Sequence, residues 1–93
     1  MSIEKRLEHK LVIEVRKRGG YALKLMCFTF TGMPDRLVLM PGGQALFAEV
    51  KDAGKKANPK QTLRINWLQK LGFAAKTINS EESLQEFLKL LEK

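Results

Sequence analysis

Two carboxylates and a lysine lie near one another in this sequence in a spacing typical of metal-assisted hydrolysis. Asp35 follows Pro34 directly, and Glu49 and Lys51 are two residues apart in the segment AEVK. Side chains two apart on a strand project from the same face, so Glu49 and Lys51 are expected to lie side by side. Two neighbouring carboxylates repel unless a cation lies between them. The set therefore predicts a site for a hard divalent ion such as Mg²⁺.

A tight turn is expected to bring Asp35 to this pair. Residues 41–43 are Pro-Gly-Gly, which is typical of a hairpin, and positions 35 and 49 are equidistant from residue 42. A bound ion would polarise a phosphate and lower the pKa of a bound water, while Lys51 would orient that water or offset charge at phosphorus. The backbone carbonyl of Val50 is a candidate third ligand. The pattern favours phosphodiester hydrolysis.

Each feature alone also has a structural explanation. A Glu-x-Lys pair is usually a solvated strand face, and Asp after Pro is often only a turn residue. The neighbours of Glu49 argue against an ordinary surface position, because Phe47, Ala48 and Val50 are apolar. Buried charges need partners.

The balance of charge favours an anionic partner. The net charge is +7 with a pI near 9.8, and nucleic acid is the leading candidate. Five basic residues are candidate phosphate contacts: Lys24, Lys55, Lys56, Lys60 and Arg64. The alternatives are a solvated lysine loop for the last four and a snorkelling side chain for Lys24.

Neither a membrane span nor a secretory signal is expected. The apolar stretches are strand-sized, and the start, MSIEKRLEHK, lacks an apolar core. Cys27 is the sole cysteine, so it cannot form an internal disulfide, and its apolar neighbours predict an inert thiol buried in a strand. A cytoplasmic protein fits these features.

Periodicity and punctuation predict seven elements. Helical spacing of Ile3, Leu7, Leu11, Val12 and Val15 predicts a helix over about 3–18, ended by Gly19. Strands are expected over 21–30, 36–40, 44–51 and 73–78. A second helix begins at Asn58-Pro59, with an apolar stripe of Leu63, Trp67, Leu68 and Leu71. Ser80 caps a third helix, whose core residues are Leu84, Phe87, Leu88 and Leu91.

This order predicts one α/β (α+β) domain over 1–93, with a mixed four-stranded sheet flanked by helices. The first three strands form a meander, and the helix between the third and fourth allows a parallel crossover. Arg36 is expected on the face opposite Asp35, where a structural salt bridge is one interpretation.

Three segments together resemble a known nuclease family. GMPDRLVL over 32–39, AEVK over 48–51 and Gln61 are similar to the VRR-Nuc (virus-type replication–repair nuclease) domain of the PD-(D/E)xK superfamily. The similarity spans nearly the whole chain and implies a restriction-endonuclease-like αβββαβα core. It also implies that Asp35 and Glu49 bind Mg²⁺ or Mn²⁺ and that Lys51 is the catalytic lysine.

The resemblance adds two residues to the site. It implies that Gln61 completes the site from the second helix, although Asn58-x-x-Gln61 is also a capping-box pattern. It places a glutamate of the first helix in the site as a metal ligand, and Glu8 matches best, although Glu8 could instead pair with a lysine.

The expected function is hydrolysis of DNA, with branched or junction DNA as the substrate and a homodimer presenting two sites to opposing strands. If phage-encoded, the protein would act in the host cytoplasm. Two alternatives remain open at this point. One is a non-catalytic basic domain that binds double-stranded nucleic acid, and the other is a restriction or transposition subunit of the same superfamily.

Overall fold

A computed structural model describes residues 1–91, and the order of its elements is the predicted αβββαβα. The elements are α1 (Ile3–Lys17), β1 (Tyr21–Lys24), β2 (Arg36–Met40), β3 (Gln44–Val50), α2 (Pro59–Lys70), β4 (Ala74–Ile78) and α3 (Glu81–Lys89). None of the helices in this part of the chain is long and apolar enough to cross a membrane.

The sheet is mixed and its strands lie in the order β1-β2-β3-β4. The first three strands are antiparallel, whereas β4 is parallel to β3 and is reached through α2. The β2–β3 turn requires backbone angles that favour glycine, with φ of 85° at Gly42 and 83° at Gly43. It fixes a register in which Arg36 lies opposite Ala48. The predicted fold class, meander and crossover are confirmed.

One face of the sheet is covered by α1 and α3 and holds the main core. The buried residues of the two helices include Leu7, Leu11, Val15, Leu84, Phe87, Leu88 and Leu91. They pack on Val38, Met40, Leu46, Ala48, Val50 and Ile78 of the sheet. The core residues predicted for α3 and the turn after it are confirmed: Leu84, Phe87, Leu88 and Leu91 are all buried. Val12, predicted on the apolar face of α1, is instead 36% exposed.

The other face is covered by α2, where the predicted apolar stripe is wrong for three of its four residues. Leu68 is buried, but Leu63, Trp67 and Leu71 are 40% exposed or more. Ile65 and Leu68 instead pack on Ala75, with Met33, Phe47 and Ala57 around them. The helix has apolar residues on two sides, and hydropathy alone does not determine which side meets the sheet.

The first strand is shorter than predicted, because its partner ends. Lys24 pairs with Arg36, the first residue of β2, and the last backbone bond joins the Leu25 amide to the Asp35 carbonyl at 2.8 Å. Beyond that point the chain leaves the sheet. Cys27 is consequently exposed, so the prediction of a buried strand thiol is wrong.

Candidate active site

Glu49 and Asp35 meet where β3 passes the start of β2. Glu49 is 4% exposed and is the sole buried charged residue in the described part of the chain. Continuing the β2–β3 register by one position places Asp35 opposite it. The Asp35 amide donates to Glu49 Oε1 at 3.1 Å, and the Val50 amide donates to Asp35 Oδ1 at 3.4 Å. The hairpin thus brings the two carboxylates together as predicted.

Both carboxylates are destabilised in their charged form. Burial raises the pKa of Asp35, and the Glu8 carboxylate adds to the rise, whereas the Val50 amide opposes it. Burial also raises the pKa of Glu49, with a further contribution from the Asp35 charge, and the Lys51 ammonium opposes this. A cation between the two groups would relieve both effects.

Two side chains converge on the other oxygen of Glu49. Lys51 Nζ lies 3.3 Å from Glu49 Oε2, and Gln61 Nε2 donates to the same atom at 3.0 Å. The Lys51 amide donates to the Ile78 carbonyl at 2.8 Å, which fixes the backbone beside β4. The predicted Glu-x-Lys pair is therefore an ion pair between a buried glutamate and a half-buried lysine.

The capping-box interpretation of Gln61 is confirmed, and its side chain also reaches Glu49; its role in the site stays a prediction. Asn58 Oδ1 accepts from the backbone N–H of Gln61 at 2.9 Å, and Gln61 Oε1 accepts from the backbone N–H of Asn58 at 3.0 Å, which completes a capping box. Since Oε1 is occupied by that bond, Nε2 is directed at Glu49. The cap of α2 therefore orients a residue of the site.

Pro34 leaves the Val50 carbonyl without a ladder hydrogen bond from the strand opposite. The N–H and C=O of one strand residue point to the same side, and the Val50 amide points towards Asp35. In the continued register, Pro34 lies opposite Val50. Proline has no N–H, so it cannot donate the ladder bond that this carbonyl would otherwise accept.

Glu8 faces Arg36. Arg36 Nε and Nη2 donate to Glu8 Oε2 at 3.1 and 2.9 Å, while Nη1 donates to the Ala22 carbonyl at 3.1 Å. The structural salt bridge considered for Arg36 is present, and the partner of Glu8 is an arginine rather than a lysine. Because Glu8 raises the pKa of Asp35, its charge reaches the site. Its role as a ligand stays a prediction.

The donors present fit a hard divalent ion. Asp35, Glu49 and the Val50 carbonyl carry oxygen donor atoms, and such an ion takes oxygen ligands and retains several waters. Asp35 Oδ2 accepts no hydrogen bond from residues 1–91. No cluster of three or more His, Cys, Asp or Glu suited to a metal occurs in that range.

The basic candidates divide into two groups. Lys24, Lys55, Lys56 and Lys60 are exposed. Arg64 is half-buried, its Nε donates to the Thr31 carbonyl at 2.7 Å, and its guanidinium stacks 3.7 Å from the centre of the Phe30 ring. Sequence reasoning missed this contact, because no periodicity links residue 64 to a loop 33 positions earlier.

Comparison with known proteins identifies the family. No family model matches the chain. A protein of Acyrthosiphon pisum secondary endosymbiont phage 1, described as "Putative nuclease p44", is 39% identical over 79 residues, which are 85% of each chain. A solved structure described as "VRR_NUC domain" superposes with a TM-score of 0.87 at 27% identity, covering 96% of this chain and 97% of its own. This chain belongs to the VRR-Nuc nuclease family. The resemblance inferred from the PD and ExK segments is thus confirmed at the level of the family.

Proposed function

We propose that this VRR-Nuc domain is a Mg²⁺- or Mn²⁺-dependent endonuclease that hydrolyses DNA phosphodiester bonds. One observation carries the proposal: the buried Glu49 contacts Asp35, Lys51 and Gln61, each within 3.3 Å. Burying a charged carboxylate lowers the stability of the fold unless its partners compensate for the lost hydration. Held beside a second carboxylate and an ammonium, it forms a site for an ion and a phosphate.

Each residue has a role in this proposal. Asp35, Glu49 and the Val50 carbonyl hold the ion, which when bound supplies a polarised phosphate and an acidic water. Lys51 orients the attacking water or offsets charge at phosphorus. Gln61 positions Glu49 through the hydrogen bond that its side-chain amide donates. Glu8 is proposed as a further ligand; it pairs with Arg36, and its charge favours a cation at Asp35.

The charge distribution supports DNA as the substrate. Residues 53–80 contain no Asp or Glu, and their basic residues include Lys55, Lys56, Lys60 and Arg64. With Lys24, these form the proposed phosphate contacts. Branched DNA and a homodimer belong to the same proposal, since two copies related by a twofold axis would present two sites to opposing strands. We place this activity in the cytoplasm, the host's if the protein is phage-encoded.

A non-catalytic domain that binds double-stranded nucleic acid would account for the basic surface. It would not account for Glu49, whose burial beside Asp35 lowers stability unless an ion is bound.

The test is cleavage of a DNA panel. Purified protein is incubated with linear, flap and four-way substrates, with and without Mg²⁺ or Mn²⁺. We expect cleavage only with metal, and a loss on the order of 10³-fold in Glu49→Gln and Lys51→Ala with DNA binding retained. Asp52→Asn is the matched control, because Asp52 directly follows Lys51 and, within residues 1–91, its carboxylate accepts a hydrogen bond only from the adjacent Ala53 amide. Metal-independent binding to RNA duplex without cleavage of any substrate would overturn the proposal.

A further inference from the structure

The loop between β1 and β2 exposes two large apolar side chains. Phe28 is 85% exposed and Met26 is 69% exposed. Apolar side chains left in water contribute no hydrophobic free energy to folding. Exposed apolar residues close together often mark a binding surface. Phe28 is the most exposed of the large apolar residues in the described chain.

This exposure occurs on an anchored loop. The loop begins where the Leu25 amide bonds to the Asp35 carbonyl and returns through the buried Pro34. Near its C-terminal end, the Phe30 ring lies 5.0 Å from the Trp67 ring and beneath the Arg64 guanidinium. These contacts hold the loop at both ends and leave Phe28 between them, outside the core.

Both ends of the loop meet the proposed active site. Leu25 and Pro34 adjoin Asp35, so the segment that carries Phe28 closes on a proposed metal ligand. The loop also lies directly against the start of α2. A Cβ placed on Gly32 would meet Lys60 Cγ at 2.7 Å and the Lys60 carbonyl at 2.9 Å.

The surroundings of the loop are basic. Lys24 lies at its beginning, and Lys60 and Arg64 lie against its end. Residues 15–48 contain one carboxylate, Asp35, and residues 53–80 contain none. This charge is complementary to a polyanion, whereas a second copy of a chain with net charge +7 would bring like charge to the same surface.

We propose that Phe28, with Met26 two positions earlier on the same loop, binds an unpaired or unstacked DNA base next to the phosphate held at Asp35. Aromatic side chains stack on any base, and apolar side chains inserted between base steps favour DNA that is already interrupted. The loop thereby selects bulged or branched DNA over continuous duplex. This inference rests on the proposed function, because it takes the Asp35 site as the place where the DNA backbone is held.

The test uses the fluorescence of 2-aminopurine placed as a single-base bulge in a duplex, in the Lys51→Ala background so that DNA stays intact. We expect binding to quench the fluorophore. Phe28→Ala should remove the quenching and weaken affinity for bulged DNA about tenfold, while affinity for continuous duplex changes less than twofold. Phe28→Trp should restore both properties. Tyr21→Ala is the matched control, because Tyr21 is 53% exposed but lies at the other end of β1.

A second measurement uses the native thiol as a reporter. Cys27 is exposed beside Phe28, so bulged DNA should slow its alkylation by a maleimide more than an equal concentration of bound duplex does. Equal protection by both DNAs, or unchanged quenching in Phe28→Ala, would overturn the inference. So would the loss of a dimer in Phe28→Ala by sedimentation velocity with quenching intact, because the occupant would then be a second copy.

The two proposals fail in different ways. Metal-dependent cleavage by the wild-type protein without Phe28-dependent quenching would overturn the base site and leave the nuclease assignment standing. Phe28-dependent quenching without cleavage of any DNA in Mg²⁺ or Mn²⁺ would overturn the nuclease assignment and support the base site.

Discussion

The two faces of the sheet differ in apolar packing and in charge. The face covered by α1 and α3 holds the large core, and these two helices carry six of the ten carboxylates of the sequence. The face covered by α2 packs through the small cluster of Ile65, Leu68 and Ala75, and no carboxylate occurs over 53–80. Stability is concentrated on the first face, and the basic surface and proposed chemistry on the second.

Hydrogen bonds and ion pairs follow the same division. On the α1–α3 side, Lys10 and Glu81 form an exposed pair at 2.9 Å that joins the two helices. On the α2 side, the capping box leads directly to Glu49 through Gln61. Polar contacts near α2 therefore position the site. On the other face the Lys10–Glu81 pair is exposed, and the half-buried Glu8–Arg36 pair is the contact whose charge reaches Asp35. A domain of this size has a small free energy of unfolding. Here most of the apolar packing that supplies it lies on one face, which leaves the other face for ligands.

Core truncation should separate the faces most strongly. Leu11→Ala, at a fully buried position of α1, should lower the free energy of unfolding by about 2–5 kcal/mol, because it removes packed methyl groups and leaves a cavity. Leu63→Ala, at a position that is 61% exposed on α2, should change it by about 0.5 kcal/mol or less. Urea denaturation measures both. Similar losses would contradict the division of stability between the faces.

Neutralising the site should stabilise the protein when no metal is present. Asp35→Asn keeps an acceptor for the Val50 amide but removes a charge that burial disfavours, so the metal-free protein should gain about 1 kcal/mol. Thermal melting in chelator measures this gain. A lower melting temperature than wild type would show that the Asp35 charge supports the fold rather than the site.

The pH dependence of stability follows from the same carboxylates. A group whose folded-state pKa is raised stabilises the fold below its unfolded pKa, about 4 for Asp and Glu, and this stabilisation is lost as pH rises through the folded pKa. In chelator, the contribution of Asp35 and Glu49 to the melting temperature should therefore fall as pH rises above about 4. Asp35→Asn should show a smaller fall, and Mg²⁺ should oppose it in the wild type.

Removal of a single basic residue should have the smallest effect. Lys60→Gln should lower the slope of log affinity against log salt for duplex DNA by about 1, because one phosphate contact is lost. Lys10→Gln is the matched control, since Lys10 lies on α1 and pairs with Glu81. Fluorescence anisotropy across a salt series provides both slopes. A larger change in the Lys10 variant would place the DNA surface on the other face.

Local signals in the sequence were sufficient for most of the fold. The turn at Gly42-Gly43, the caps at Asn58 and Ser80, and the stripe of α3 each depend on neighbours within a few positions, and the structure has all of them. The position of Asp35 opposite Glu49 could be predicted for the same reason, because the turn of a hairpin sets the register of its strands.

The errors concern features that depend on distant parts of the chain. The apolar run after Lys24 was predicted to continue as a strand, but β2 begins only at Arg36, so the run has no partner and becomes the loop that carries Phe28. The exposure of Trp67 likewise depends on which side of α2 meets Ala75. Such outcomes follow from packing between elements, which hydropathy along one element does not encode.

Calorimetric titration with Mn²⁺ tests the central claim most directly, because it measures the proposed ion site without DNA. We expect wild-type protein to bind Mn²⁺ through Asp35 and Glu49, with affinity lost in Asp35→Asn and retained in Asp52→Asn. Asp52 is a suitable control because it is the acidic residue nearest to Glu49 along the chain, and within residues 1–91 its carboxylate accepts a hydrogen bond only from the adjacent Ala53 amide. Unchanged Mn²⁺ binding in Asp35→Asn would contradict the assignment of this carboxylate pair as the metal site of the nuclease.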